Sequence, residues 1–335
     1  MSEKILVVGP AWVGDMMMAQ SLFKLLKLRH PDADIDVVAP AWTEPLLARM
    51  PEVHEAILLQ VGHGQLRLGL RIGLGWRLRE RRYDWAIVLP RSYKSAIVPF
   101  LARARRRTGF LGEWRWGLLN DIREMDREAL PRNVDRFHVL GLEPGEPLPA
   151  ETPLPRLEAK SADAALANLG LQRPEGPVLG MCPGAEYGPT KRWPAEYFTE
   201  VANSRLDAGW QVWLFGSEKD APITRQINAL TGDRCLDLGG RTRLAEVIDL
   251  MALMTQVVTN DSGLMHVAAA VDRPLVAVYG STATGFTPPL HPKAKIVSLN
   301  MSCCPCNKRE CPFGHLKCLR DIQPEQVLAA MAAQH

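Results

Sequence analysis

Short apolar runs alternate with longer helical patterns along this chain, and the alternation occurs twice. In the first half, residues 5–9, 35–39, 56–59 and 85–89 are continuous apolar runs of strand length, the pattern of strands buried on both faces of a parallel sheet. Between them, residues 16–29, 44–50 and 66–82 carry helical patterns. The second half repeats the scheme: strands at 178–182, 211–215, 257–260 and 275–279, with helices near 195–208, 222–230, 244–254 and 264–270. Strand and helix in alternation predict an α/β fold of two doubly wound units. Pro144, Pro147, Pro149, Pro153 and Pro155 interrupt the chain between them, which suits a connection without regular structure. The expected domains are residues 1–155 and 156–320, followed by a C-terminal segment, 321–335, that holds a helix at 324–332. A ligand is expected in the cleft where the carboxyl ends of the two sheets meet.

Composition narrows the function classes. No apolar stretch is long enough to span a bilayer, and the charged start followed by the strand at 4–9 leaves no room for a signal peptide, so a cytoplasmic protein is expected. The net charge of +3 conceals an uneven distribution. Between Gly62 and Arg136, Arg and Lys outnumber Asp and Glu by about two to one, with Arg103, Arg105, Arg106 and Arg107 in one run. Either these are solvated faces or the partner is acidic: a phosphorylated or carboxylated substrate, or an anionic membrane surface. Few aromatics interleave with the basic residues, which disfavours nucleic acid. Five of the seven cysteines, Cys303, Cys304, Cys306, Cys311 and Cys318, share one short segment with His315. They can be reduced loop thiols or ligands of a zinc ion.

The chemistry is read at the strand ends. Thr259-Asn260-Asp261-Ser262-Gly263-Leu264-Met265-His266 joins a strand to a helix. The first N–H groups of a helix lack internal partners and sit at the positive end of its dipole, so an anion fits there. Gly263 allows close approach, Ser262 adds a hydroxyl, and His266 stands one turn on; a diphosphate suits such a place. The alternative is a helix capped by Asp261 or Ser262 beside a core histidine.

Lys191 and Arg192 stand just before the helix at 195–208, where the dipole disfavours cations unless an anion is bound. Lys191 could neutralise a departing phosphate. Glu218, after the strand at 211–215, could hold ribose hydroxyls or serve as a cap. In the first half, Asp15 follows Gly9-Pro10-Ala11-Trp12-Val13-Gly14 and meets a helix expected to begin near Met16. Its carboxylate can cap that helix or act as a general base. The glycines do not form a dinucleotide fingerprint.

These segments, with Leu89-Pro90-Arg91-Ser92-Tyr93-Lys94-Ser95-Ala96, Arg107-Thr108-Gly109, Cys182-Pro183-Gly184-Ala185-Glu186 and Lys191-Arg192-Trp193-Pro194, resemble the ADP-heptose:lipopolysaccharide heptosyltransferases over nearly the whole chain. The resemblance implies the GT-B fold, in which two Rossmann-like domains face a cleft. It implies an inverting transfer of heptose from ADP-heptose to the first heptose of heptosyl-Kdo2-lipid A, without metal or cofactor, at the cytoplasmic face of the inner membrane. Asp15 would be the base and Lys191 the phosphate partner. Ser262, Gly263 and His266 would hold the diphosphate, Glu218 the ribose and Asp261 a donor hydroxyl, with Thr242 near the adenine. Ser92, Lys94 and Arg107 would contact the acceptor. The cysteine segment from Cys303 to Cys318 lies outside the family pattern, so a redox or metal role stays open there, and the catalytic reading does not depend on it. A sibling transferase with another acceptor, a nucleotide-sugar epimerase and a noncatalytic solute-binding protein are the alternatives. The absence of an export signal argues against the last.

Overall fold

The computed structural model describes residues 2–62 and 64–334. They form two compact units, Met1–Pro155 and Arg156–His335. Among the described residues, the first unit holds a six-stranded sheet of β1 (Lys4–Val8), β2 (Asp34–Pro40), β3 (Glu55–Leu59), β4 (Trp85–Val88), β5 (Arg106–Phe110) and β6 (Asp121–Arg123). Their order is β3-β2-β1-β4-β5-β6 and every neighbouring pair is parallel. Chain order reverses between β1 and β4, with Ile5 in register with both Ile35 and Trp85. That reversal opens a crevice at the carboxyl ends of β1 and β4, the usual ligand position in such sheets.

The second unit repeats the plan with β7 (Val178–Cys182), β8 (Gln211–Leu214), β9 (Leu236–Asp237), β10 (Gln256–Asn260), β11 (Leu275–Tyr279) and β12 (Lys295–Ser298), in the order β12-β11-β10-β7-β8-β9. All pairs are again parallel. Here the reversal falls between β7 and β10. Both units therefore have the Rossmann strand order, as the GT-B fold class requires of each half.

The sheets are held by apolar cores. On one side of the second sheet, Leu179, Met181, Val258, Val276 and Val278 pack with Trp193, Phe198, Leu319, Val327 and Met331. Trp193 is fully buried and donates its indole N–H to the Ile322 carbonyl at 2.9 Å, so the C-terminal helix Pro324–Ala332 and its lead-in close over this core. In the first unit, the helix Leu68–Leu78 turns Leu74 and Leu78 onto Leu6, Val38, Ile57 and Ala86.

Helix starts follow from local chemistry. The helix after β1 runs Val13–Arg29, three residues earlier than the sequence pattern implies, because Trp12 in extended conformation occupies the cap and its carbonyl accepts from Met16 N–H. Asp15 consequently sits inside the first turn, where a carboxylate favours the helix dipole, and does not cap the helix.

Candidate active site

At the reversal point of the second sheet two strand ends meet. After β7 the chain passes through Pro183-Gly184 and ends in a single 3-10 turn, Pro189–Lys191. After β10 it runs through Asp261 and Ser262 into the helix Gly263–Ala270. Lys191 Nζ reaches across to Asp261 Oδ2 at 2.6 Å. Both are largely buried, with 14% and 4% of their side chains exposed, so the pair is poorly screened. Asp261 Oδ2 also accepts from the Thr282 hydroxyl at 2.5 Å. The resemblance gives Asp261 a donor hydroxyl; its visible work is to fix the Lys191 ammonium.

Ser262 caps the helix by position, with extended backbone, but its hydroxyl makes no side-chain capping bond. That oxygen is buried without a hydrogen-bond partner among the described residues, a costly arrangement that a polar ligand at the helix end would relieve. Four residues on, His266 is 6% exposed. Burial, assisted by the Lys191 charge and opposed by Asp261, lowers its pKa to about 4. It is a neutral imidazole at pH 7, able to accept or donate one hydrogen bond.

The two strand ends are tied together by a residue that the sequence motif contained but did not mark. Asn260, fully buried at the end of β10, donates from Nδ2 to the Pro183 carbonyl at 2.7 Å and accepts on Oδ1 from Trp193 N–H at 3.1 Å. The loop carrying Lys191 is thus anchored on both sides. Gly184 in this loop is required by packing, since a Cβ there would lie 2.2 Å from Asp220 Cγ. Glu218 lies exposed on the short turn Glu218–Asp220 after β8, beside Gly240 in the next loop. Thr242 is half-buried just before the helix Leu244–Met251.

The backbone of the cysteine-rich segment touches this arrangement. Tyr187 donates its hydroxyl to the Asn307 carbonyl at 2.7 Å, and Thr190 donates to the Lys308 carbonyl at 2.5 Å. The Tyr187 ring lies beneath two cations, Lys191 Nζ at 5.1 Å and the Arg309 guanidinium at 5.4 Å. The backbone around residues 307–309 therefore buttresses the Lys191 turn. All seven cysteines are free thiols, and no group of three or more His, Cys, Asp or Glu among the described residues is placed to hold a metal ion.

The carboxyl ends of β1 and β4 carry Asp15, Ser92 and Lys94, whereas Arg107, level with Ala86 near the start of β4, lies at the amino end of β5, away from them. Asp15 Oδ1 accepts from Asn133 Nδ2 at 3.0 Å. Asn133 opens the helix Asn133–Leu140, which packs beside Val13–Arg29, so the carboxylate is positioned from a second helix. Ser92 caps the 3-10 turn Tyr93–Ala96 after β4. Lys94 Nζ donates to the Gly64 carbonyl at 2.6 Å. Arg107, on β5, gives Nε to the Leu118 carbonyl at 2.8 Å and Nη1 to the Ala104 carbonyl at 2.6 Å. Much of its hydrogen-bonding capacity thus supports the loop beside β5. The reversal points bring Asp15, Ser92 and Lys94 to one end of the first sheet and Lys191, Asp261, Ser262 and His266 to one end of the second.

The model of glycosyltransferase family 9 (heptosyltransferase) matches residues 71–317, well over half of the chain. The chain belongs to glycosyltransferase family 9. It is 47% identical to lipopolysaccharide heptosyltransferase 2 of Escherichia coli K12 over 98% of each sequence. It is 48% identical to lipopolysaccharide heptosyltransferase 2 of Salmonella typhimurium, covering 97% of this chain and 96% of that one. The solved structure of E. coli ADP-heptose lps heptosyltransferase II matches with a TM-score of 0.87 and 45% identity over 99% of this chain and 98% of that chain. A family 9 glycosyltransferase fits the geometry at both reversal points. In these terms, Asn260, Thr282, Tyr187 and Asn133 are supporting residues that motif reading passed over. Asn260 carried a signal, because a polar residue closing an apolar strand must find buried partners.

Proposed function

We propose that this chain transfers L-glycero-D-manno-heptose from ADP-heptose to the first heptose of heptosyl-Kdo2-lipid A. The observation that carries the proposal is the Lys191–Asp261 pair at the mouth of the second sheet, beside a helix end with a buried, unpartnered Ser262 hydroxyl. A cation and helix N–H groups at one point suit a diphosphate, and relatives of nearly half identity over the full length are lipopolysaccharide heptosyltransferases.

In this scheme Ser262, Gly263 and His266 hold the diphosphate, Glu218 the ribose and Thr242 the adenine side. Ser92 and Lys94 contact the acceptor, whereas Arg107, to which the resemblance gave the same role, lies at the other end of the first sheet and holds the loop beside β5. Asp15 takes the proton from the acceptor hydroxyl as its oxygen bonds to the anomeric carbon. The bond to ADP breaks with inversion and the electron pair leaves on the phosphate. Lys191 meets that charge, with Asp261 holding its ammonium in place. A fixed ammonium and a helix end stabilise a leaving phosphate as a bound cation otherwise would, so chelators are expected to leave the rate unchanged. No described helix is long and apolar enough to cross a membrane; peripheral action at the cytoplasmic face of the inner membrane fits a lipid-linked acceptor.

The test is ADP release from ADP-heptose with and without heptosyl-Kdo2-lipid A, comparing the intact chain with Asp15→Ala. Acceptor-dependent release that disappears in the variant supports transfer and its base together. Release indifferent to the acceptor would overturn the acceptor assignment, and an active variant would remove Asp15 as base.

A further inference from the structure

The helix Leu68–Leu78 has already spent one face on the core. Arg71, Leu74, Gly75 and Leu78 are buried, and Gly75 lies so near the helix Ile97–Leu101 that a Cβ would fall 2.6 Å from Leu101 Cβ. The remaining surface of such a helix is normally polar. Here it is apolar: Leu68 is 46% exposed, Leu70 47%, Ile72 38% and Trp76 54%, with Leu66 just before the helix at 51%. Gly69 and Gly73 open onto free space between them. An apolar stripe of this kind on a soluble domain marks an interaction surface.

The charges around the stripe say what covers it. Arg67, Arg77, Arg79 and Arg82 surround it against Glu80 alone in this segment, and the Arg79 guanidinium sits 4.2 Å above the Trp76 ring. An exposed tryptophan, aliphatic side chains and arginines on one short helix are the components of an element that lies in a lipid headgroup layer. Eleven residues are too few to span the apolar interior. A second copy of the chain would bring one arginine cluster against another, which opposes self-pairing.

We propose that the outward side of Leu68–Leu78, with its flanking arginines, docks the first unit onto an anionic lipid leaflet. The surface rests on the lipid-linked acceptor proposed above only for its purpose. The apolar side chains enter the headgroup region and the arginines meet phosphate oxygens.

The test is co-sedimentation of the full chain with vesicles of phosphatidylcholine alone or mixed with phosphatidylglycerol. Ile72→Glu combined with Trp76→Glu, and Arg77→Glu combined with Arg82→Glu, are each expected to weaken partitioning onto the anionic vesicles by about tenfold or more. Trp76→Phe should retain it. Raised salt should weaken the intact chain and leave the arginine variant little changed. Unchanged melting temperatures would show that the substitutions spare the fold. Partitioning equal to that of the intact chain in both double variants would overturn the proposal, as would equal binding to neutral vesicles. A dimer that Trp76→Glu converts to monomer, without vesicle binding, would assign the surface to a second copy instead. ADP release with a water-soluble, delipidated acceptor should stay at the intact level in every variant, so a failed docking surface and a failed transfer assignment give different results.

Discussion

Lys191 Nζ stands 2.6 Å from Asp261 Oδ2, and the two side chains belong to the loops that follow β7 and β10, the strands flanking the reversal point of the second sheet. An ammonium held by a nearly buried carboxylate is fixed before any phosphate arrives. Such preorganised charge contributes most where negative charge develops in the transition state. Lys191→Ala should lower kcat of acceptor-dependent ADP release by about two powers of ten or more, with a smaller change in KM. Asp261→Asn should lower kcat less, because the lysine remains but loses its orientation. The two effects should not add. A double variant as slow as Lys191→Ala alone is the expected outcome of single-turnover measurements, whereas additive losses would show that the residues act independently.

The carboxylate of Asp15 is separately positioned by Asn133 Nδ2 at 3.0 Å. Asp15→Asn removes the proposed base and keeps the shape of the side chain, so turnover should fall by about two to four powers of ten while ADP affinity, measured by calorimetry, stays within about twofold of the intact chain. Asn133→Ala should shift the pH profile of kcat/KM and lower its maximum modestly. Loss of ADP affinity in Asp15→Asn would instead place that residue in the donor site.

Asn260 offers a test of the scaffold. Its two buried hydrogen bonds fasten Pro183 and Trp193, so Asn260→Leu would leave a carbonyl and an N–H without partners. Each such group costs about 1–3 kcal/mol. Urea unfolding should therefore show a clear loss of stability in the second unit, and kcat should fall as the Lys191 turn loosens. Stability indistinguishable from the intact chain would mean that these groups find other partners.

The strands on either side of the reversal points were legible in the sequence because they are buried on both faces and read as unbroken apolar runs. Of the edge strands, β3 was legible at residues 56–59, but β6, β9 and β12 were not. β12 is largely exposed with the sequence Lys-Ile-Val-Ser, and β9 has two residues, so neither presents a run. β5 was hidden by its own charges. Arg106 and Arg107 suggested a basic surface, yet Arg106 pairs with Asp121 at 2.8 Å and Glu143 at 2.6 Å and lies 4.7 Å over the Trp85 ring. The site followed the same division. Asp261, Ser262 and His266 share one local motif and were readable together. The contacts of Lys191 with Asp261 and of Tyr187 with Asn307 join residues 70 and 120 positions apart, which no local pattern records.

That same arginine run separates into different roles when tested for stability. Arg105 is 82% exposed at its ion pair with Asp84, and Arg106 31% at its pairs. Exposed pairs contribute little. Arg105→Ala should leave the melting temperature nearly unchanged, whereas Arg106→Ala, losing two carboxylate partners and the Trp85 contact, should cost about 1–2 kcal/mol. Equal effects would mean that burial does not distinguish them.

Two buried histidines are expected to make the fold less stable in acid. Burial lowers His266 to about 4 in the second unit and His138 to about 4 in the first, where His138 Nε2 lies 2.9 Å from the Ser21 hydroxyl. Both are neutral when folded and take up a proton near pH 6.5 when unfolded. Between those values the unfolded chain binds more protons, so stability rises with pH. The contribution is complete above about pH 6.5, falls as the pH drops toward 4, and changes no further below it. Each histidine contributes about 3 kcal/mol at most by this route. Urea midpoints measured from pH 7.5 to 4.5 should decline, and His138→Gln should flatten the slope for the first unit alone, since the glutamine has no proton to gain. A slope unchanged in that variant would place the acid sensitivity elsewhere, in the carboxylates paired with arginine.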